Sequence, residues 1–409
     1  MSLSVCKRLI LIDKIKIMTS QKHIVIVGGG FGGVKLALDL SKSGAYRITL
    51  VSDRDDFWYF PTLYHAATGA PTDSASIPLT DLFNIYRVNL VKASATKLSR
   101  DKRYVQLSSG KKIHYDYVVF AMGVVTNYFG IKGLDQYSYG IKSIDEADRL
   151  KQHIHTQLMD EQKPDLNYVV VGGGPTGIEL AAQLPAYVRH IMKKHNMPDK
   201  KVRVELIEGA KQLLPRMQKK VGRRVARQLK RLGVHVRLGQ AVQGETADAL
   251  MINGKSLRSH TVVWTAGQAN NPFFDDNGFT LSGRHKVVVN EYLEAEPRVF
   301  VIGDNAETEF SGMAQTALYD AEYLAANFLR VADGDLRQPY KSKKPIYVIP
   351  VGDHWAAVEW GNVHLFGWIG WWLRELGDLK GFLDIEKPVQ AGEQWMKEFQ
   401  HDQQCPTCS

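Results

Sequence analysis

Two six-residue segments hold residues that could grip a phosphate. One reads GGGFGG from Gly28 to Gly33, the other GGGPTG from Gly172 to Gly177. Both place glycine at the first, third and sixth positions: Gly28, Gly30 and Gly33, then Gly172, Gly174 and Gly177. The first glycine of such a triplet permits a tight turn, the second lets a pyrophosphate approach the backbone, and the third lets a helix pack closely on a strand. The orphan amides and positive end of the following helix then face the phosphates. Acidic residues stand where a ribose would come. Asp53 lies 20 residues beyond Gly33, a distance at which a carboxylate accepts from ribose hydroxyls. Ser52 directly precedes it, and the sequence leaves open which of the two reaches the sugar. Glu208 ends the strand after the second loop. A carboxylate there repels a 2′-phosphate and so favours NADH over NADPH; a solvated strand end is the plainer reading. Asp304 follows Gly303 at the end of Val299-Phe-Val-Ile. That pair suits close approach to a flexible ribityl chain, or a simple strand-to-turn cap.

The elements that would position these residues are legible on either side. Each loop follows a short apolar run, His23-Ile-Val-Ile-Val or Asn167-Tyr-Val-Val-Val, suited to a buried parallel strand. Each passes straight into a helix, and each is followed by a strand that ends in acid, Ile48 to Val51 before Asp53 and Val202 to Ile207 before Glu208. The copies lie 144 residues apart, from Gly28 to Gly172, which marks an internal duplication of architecture. Between them, Asn89 to His114 alternates apolar and polar residues and predicts antiparallel strands, and Tyr117 to Ala121 predicts a buried one. Further strands are expected at Thr261–Trp264, Lys286–Val289 and Val299–Ile302, and a helix at Met313–Leu329. The fold class is α/β. Two nucleotide sites in one chain imply two nucleotides, a permanent redox cofactor and an exchanging hydride donor.

Composition narrows the chemistry. The chain has 409 residues, 44% hydrophobic and 23% charged, a globular composition with room for two domains. Its net charge of +9 suits an anionic surface without choosing one. Of three cysteines, Cys6 stands near the start and Cys405 and Cys408 in the tail, so no mechanism needing a thiol in the body of the chain is available. The longest apolar stretch, Val363 to Leu373, is 11 residues and contains His364, short of the roughly 18 that a spanning helix needs. Residues 1–20 read as an N-terminal extension whose apolar stretch is too short for a secretory signal.

With GGGFGG, YVVVGGGPTGIELA, VELIEGAKQLLP, TVVWTAGQANNP, VFVIGD and AQTALYDAEYLA in place, residues 22–385 resemble the two-dinucleotide-binding flavoproteins and, among them, the type II NADH:quinone oxidoreductases. The resemblance implies two Rossmann-like domains: a discontinuous FAD domain at 21–140 and 265–338, with the NADH domain inserted at 141–264. A membrane-interface region at 339–389 and a tail at 390–409 follow. It assigns non-covalent FAD to Gly28, Gly30, Phe31, Gly32 and Gly33, to Ser52 or Asp53, and to Gly303 and Asp304. NADH, the co-substrate, falls to Gly172, Gly174, Pro175, Thr176, Gly177 and Glu208. Ala121 and Gly123, and Ala266 and Gly267, match strand ends where the family's chain crosses between domains. Pro61-Thr62-Leu-Tyr64, after four aromatics, resembles the segment along the isoalloxazine, although aromatics in a row also build cores. Glu179, placed on the first turn after the second loop, matches a glutamate near nicotinamide and flavin, and a dipole-favoured helix-start acid is the alternative. Ala314, Gln315 and Ala317 resemble the start of the quinone-site motif AQxAxQ, but Tyr319 stands where the second glutamine is expected.

The acceptor implied is a quinone, and a peripheral position on the cytoplasmic side of the cell membrane follows. Leu365, Ile369, Trp372, Leu376 and Leu379 are spaced 4, 3, 4, 3, one face of a helix, rich in the tryptophan that favours headgroups. A homodimer interface or a core lid would use the same face. Lys219 to Arg231 holds seven basic residues in thirteen. A solvated helix face and phospholipid contact are both open there; no nucleic-acid recognition motif accompanies it. Other activities open to the chain are a soluble NADH-dependent reductase of a protein carrier and a NADH-binding flavoprotein sensor.

Overall fold

A computed structural model of the chain describes residues 21–159, 166–198 and 200–399. The N-terminal extension at 1–20 and all three cysteines lie outside the described residues. Along the chain, strand β1 (His23–Val27) runs into helix α1 (Phe31–Ser41), then β2 (Arg47–Ser52), β3 (Val88–Lys92) and β4 (Tyr117–Phe120). The pattern restarts with β5 (Asn167–Val171), α2 (Pro175–Lys194), β6 (Arg203–Glu208), α3 (Lys219–Arg231), β7 (Val234–Leu238) and β8 (Thr261–Trp264). Strands β9 (Glu294–Glu296) and β10 (Val299–Val301) and helix α4 (Ala314–Ala332) follow. The chain closes with β11 (Tyr347–Pro350), β12 (Ala356–Trp360), β13 (Val363–Gly367), α5 (Trp368–Leu383) and α6 (Pro388–Phe399).

These elements form two compact units. The first holds residues 21–57, Pro78–Val124 and Asn270–Lys343. Its sheet runs β9-β10-β4-β1-β2-β3, parallel except for the edge pair β9-β10. Strands buried on both faces read as continuous Val/Ile runs, and β1 is buried at every position. Helix α4 lies along α1. An aromatic cluster of Phe120, Phe273, Phe274 and Phe279 fills the opposite side of the sheet core.

The second unit holds Trp58–Ile77, Val125–Ala269 and 344–399. Its main sheet runs β7-β6-β5-β8, all parallel. Strands β11, β12 and β13 form an antiparallel meander, and α5 packs on it closely enough that a Cβ at Gly370 would lie 2.4 Å from the Ala356 carbonyl oxygen. Ile349, Val351 and Ala357 of this meander share one core with Val188 and Ile191 of α2 and Leu229 of α3. The C-terminal region is thus an extension of the second unit rather than a body of its own.

Three local expectations change. Val88–Lys92 joins the parallel sheet beside β2, and only Ala95–Ser99, Tyr104–Leu107 and Lys112–His114 form the antiparallel meander. Lys286–Val289 makes isolated bridges through Val287 to Leu281 and Ala306 instead of a strand. The start of the expected tail forms α6, held by Phe399 against Trp371 and Trp372 and by Gln394 donating to the Ser74 carbonyl at 2.6 Å. Polar composition concealed these buried contacts.

Candidate active site

The two glycine loops share their backbone geometry. Gly28 and Gly172 have φ of 123° and 122°, a left-handed region that side chains rarely adopt. Gly28 N–H donates to the Val51 carbonyl and Gly172 N–H to the Ile207 carbonyl, both at 2.8 Å. A Cβ at Gly33 would lie 1.9 Å from the Gly28 carbonyl oxygen, and one at Gly177 would lie 2.0 Å from that of Gly172. Helix and strand are that close because the third glycine carries no side chain. The middle glycines differ: a Cβ at Gly30 or Gly174 would meet nothing within 4 Å. Helices α1 and α2 begin immediately after these open positions, with no side-chain cap and no acid in the first turn. With open space at both N-caps and first-turn amides left without a side-chain cap, both loops fit a pyrophosphate.

In the first unit the structure gathers most of the residues expected around FAD. Gly28 packs on Ala121, whose carbonyl oxygen would be 2.1 Å from an added Cβ. Gly32 faces Ile302 and Ala121, and buried Phe31 sets its ring edge-on to Phe57 at 4.9 Å. Ser52, the last residue of β2, turns its hydroxyl toward Gly29, where an added Cβ would sit 2.4 Å from Oγ. Asp53 is exposed and pairs with Arg54 at 3.3 Å. Ser52 is therefore the residue set against the loop. Gly303 and Asp304 open a short helical turn, Gly303–Asn305, in contact with the N-terminal half of α4: a Cβ at Gly303 would lie 3.2 Å from that of Ala317. Ala314 and Gln315 are half-buried on the first turn of α4, and Tyr319 lies under the Lys343 ammonium, 5.1 Å from its ring centroid.

Three residues that sequence reasoning missed hold this region together. Asn305 accepts from the Gly123 N–H at 3.0 Å and donates to the Gly123 carbonyl at 2.7 Å. It also donates to Asn270 Oδ1 at 2.7 Å. The Asn270 Nδ2 is buried with no acceptor among the described residues, an orphan donor that a bound group with acceptor atoms would satisfy. Asp320 is fully buried, accepts from the Gly303 N–H at 2.9 Å and from the Tyr340 hydroxyl. Burial pushes its carboxyl up to about 6 against those two bonds. Open amides, close-packed glycines and an orphan donor together fit a dinucleotide such as FAD.

In the second unit, Glu208 occupies the position that Ser52 occupies in the first. Its carboxylate accepts from the Gly173 N–H at 2.5 Å and the Ala210 N–H at 2.6 Å, so it is fastened to the glycine loop and is not a free strand end. Gly172 and Gly177 pack on Thr265 and Ala266, and Gly267 packs on the Asn127 carbonyl. Gly174 is half-buried, and Pro175 and Thr176 are exposed at the start of α2.

Glu179 departs from expectation. It is the fifth residue of α2, past the first turn, and it is buried at 8% exposure. A helix-start acid favoured by the dipole is therefore excluded, because that effect fades beyond the first turn. Burial pushes its carboxyl up to about 7; Arg374 and His65 pull it down and Asp378 pushes it further up. Arg374 donates through Nε to Asp378 and through Nη2 to the Pro61 carbonyl at 2.9 Å. The Tyr59 hydroxyl donates to Asp378 Oδ1 at 3.0 Å. His65 and Glu398 share a short hydrogen bond. The aromatic segment thus belongs to this cluster: Tyr59 stacks on Phe382 at 4.1 Å, and Tyr64 is fully in the core. Thr62 is also buried in the second unit, its hydroxyl donating to the Tyr59 carbonyl at 3.2 Å. The arrangement offers a carboxyl that exchanges its proton near neutrality, walled by charges that otherwise satisfy one another.

Known proteins share this organisation. The type II NADH:quinone oxidoreductase Ndh of Mycobacterium tuberculosis is 28% identical over 385 residues, 86% of this chain and 83% of that protein. The type II NADH:quinone oxidoreductase of Staphylococcus saprophyticus is 25% identical over 358 residues, 82% of this chain and 88% of that protein. Among solved structures, NDH2 from Plasmodium falciparum in complex with NADH superposes with a TM-score of 0.81 at 19% identity, covering 93% of this chain and 97% of that one. The sequence profile of the pyridine nucleotide-disulphide oxidoreductases matches residues 22–321, and with its two glycine loops on two parallel sheets the chain belongs to that family.

Proposed function

We propose that this protein is a type II NADH:quinone oxidoreductase working at a membrane surface. The observation that carries the reading is the buried Glu179 beside a nucleotide loop whose ribose position is a carboxylate. Pyrophosphate binds at the Gly172–Gly177 amides, and Glu208 accepts from the adenosine ribose while excluding a 2′-phosphate. Gly28–Gly33, Ser52, Ala121, Gly123, Gly303 and Asp304 would hold FAD, which when bound would supply the hydride and electron chemistry between NADH and the quinone. Oxidising NADH while reducing a quinone to quinol takes up one proton from solution. Glu179 holds a proton whose affinity matches neutral pH, the condition for efficient transfer. Gln315, with Ala314, sits at the head of α4 as the quinone contact.

Visible spectroscopy with anaerobic NADH, followed by steady-state oxidation with a soluble quinone, tests this. Bleaching of a flavin spectrum and quinone turnover are expected. Bleaching without quinone turnover would instead indicate a reductase of some other acceptor.

Glu208→Ala removes a charged acceptor from two backbone amides and from the ribose. Hydrogen bonds to charged groups contribute about 1.5–3 kcal/mol, so KM for NADH is expected to rise roughly tenfold or more while KM for NADPH falls toward it. Unchanged discrimination would contradict the assignment.

Among the described residues no helix is long and apolar enough to cross a membrane. Attachment instead uses the exposed face of α5, where Trp368 is 66% and Leu376 55% exposed, with Ile369 and Trp372 between them. Leu365 and Leu379 of the expected stripe are half-buried. Phe399 and Met396 of α6 are exposed as well. Removing 344 onward would strip Ile349, Val351 and Ala357 from the core, so substitution is the cleaner test. The double variant Trp368→Ser, Leu376→Ser is expected to bind phosphatidylcholine vesicles at least about tenfold more weakly with NADH bleaching intact. Undiminished sedimentation would reject α5 as the anchor.

A further inference from the structure

Helix α3 carries a charge pattern that neither nucleotide site uses. Between Gly209 and Gly244 the chain has ten lysines and arginines and no acidic residue. Seven of the ten fall on α3: Lys219, Lys220, Arg223, Arg224, Arg227, Lys230 and Arg231. At about 100° per residue they occupy an arc of roughly 140°. All seven are exposed. The opposite side, Val221, Gly222, Val225 and Leu229, is buried. Among the described residues, no carboxylate forms an ion pair with any of these seven side chains. A solvated helix face ordinarily mixes signs, and i,i+3 and i,i+4 neighbours of one sign repel. This face keeps that repulsion, which suits an external polyanion.

The surroundings of α3 indicate which polyanion. The backbone N–H of Gln218, its N-cap, donates to Glu359 at 2.9 Å on strand β12. The next residue of that strand, Trp360, is 58% exposed, and Val363 across the β12–β13 turn is 54% exposed. Further along, the Arg224 guanidinium lies 5.3 Å over the Phe366 ring, two residues before α5 begins. Cations therefore adjoin an apolar hairpin tip on the strands that lead directly into the exposed tryptophan helix. Tryptophan beside lysine and arginine is the composition of a bilayer headgroup layer.

We propose that α3 and the β12–β13 hairpin tip form a second membrane contact, which reads anionic phospholipid headgroups. The proposal rests on the peripheral-membrane reading above and adds to it a choice of lipid: α5 supplies apolar insertion and α3 supplies charge. One weak signal seldom holds a protein on a bilayer, whereas an apolar element combined with a basic patch does.

The full chain with its flavin is sedimented with phosphatidylcholine vesicles and with vesicles containing added phosphatidylglycerol, at low and high salt. Wild type is compared with the triple variant Lys220→Gln, Arg223→Gln, Arg227→Gln. Wild type is expected to prefer the phosphatidylglycerol vesicles, and salt to erase the preference. The variant is expected to lose about a hundredfold of that preference, roughly fivefold per cation removed, while keeping its phosphatidylcholine affinity and its turnover of a soluble quinone. A variant with wild-type preference, or a wild type that does not distinguish the vesicles, overturns the proposal and leaves the α5 anchor standing. Wild type that binds neither vesicle overturns the membrane reading and this proposal together. A labelled single-stranded RNA that binds wild type as tightly as the anionic vesicles, and is released by the same substitutions, would assign the face to nucleic acid and overturn the proposal.

Discussion

Gly28→Ala is expected to purify colourless, with NADH:quinone activity reduced by two or more orders of magnitude. At φ of 123° a non-glycine residue is strained by about 1–3 kcal/mol. Its Cβ would also lie 2.1 Å from the Ala121 carbonyl oxygen and 3.0 Å from the Met122 nitrogen. Both are backbone atoms at the end of β4, fixed by the Ala121 N–H bond to the Val27 carbonyl at 2.8 Å. Relief requires the loop to leave its place, and the open amides of α1 leave with it. Gly30→Ala separates strain from occupancy. A Cβ there meets nothing within 4 Å, so that variant is expected to fold with unchanged thermal stability yet bind FAD more weakly, because the methyl enters the space a phosphate needs. Flavin content by absorbance and a thermal melt distinguish the two. Full yellow colour in Gly28→Ala would remove the first loop from the cofactor site.

Glu179→Gln is expected to lower kcat with quinone about a hundredfold or more, the usual scale for losing a proton-transfer group. It should also abolish the titration near neutral pH in the rate profile. The same substitution carries a stability signature. With the carboxyl pushed from its ordinary 4.5 to about 7 by burial, the unfolded chain ionises first as pH rises. The stabilisation from the neutral buried carboxyl is complete below about 4.5, declines between 4.5 and 7, and is gone above 7. A shift of this size amounts to about 3 kcal/mol. Glutamine has no such dependence, so the variant should match wild type at pH 4.5 and exceed it in denaturant resistance at pH 8. Equal resistance at both pH values, with an unchanged rate profile, would show that Glu179 neither holds a displaced proton nor serves the reaction.

What could be read from residues alone was whatever the chain encodes locally. Six consecutive residues specify each glycine loop, and the strand before and the acid after fall within a few turns of it. The duplication followed, and with it the fold. Glu208 stands out for the same reason, as an acid at the strand end after such a loop. Ser52 and Asp53 could not be separated, because adjacent residues differ only in which way they point, and the pairing of Asp53 with Arg54 is a matter of geometry. The cluster around Glu179 left no local trace. His65 meets Glu398 across 333 positions and Tyr59 meets Asp378 across 319. Asp378 and Glu398 alone read as polar residues on a solvated face, and Tyr59 as one of a run of aromatics. Asp320 and Asn305 were similarly concealed: they bond backbone groups of Gly303 and Gly123 that only the folded sheet brings near. Residues 390–399 read as tail because Gln394 and Glu398 are polar and polarity usually signals exposure, yet both are buried in α6.

The core that the C-terminal meander shares with the rest of the second unit couples the side chains of the two regions. Here the meander and helices α2 and α3 each supply a wall that the other needs. Without the meander, both helices would present apolar side chains to water. A change of volume on one of these walls therefore calls for a matching change on the other.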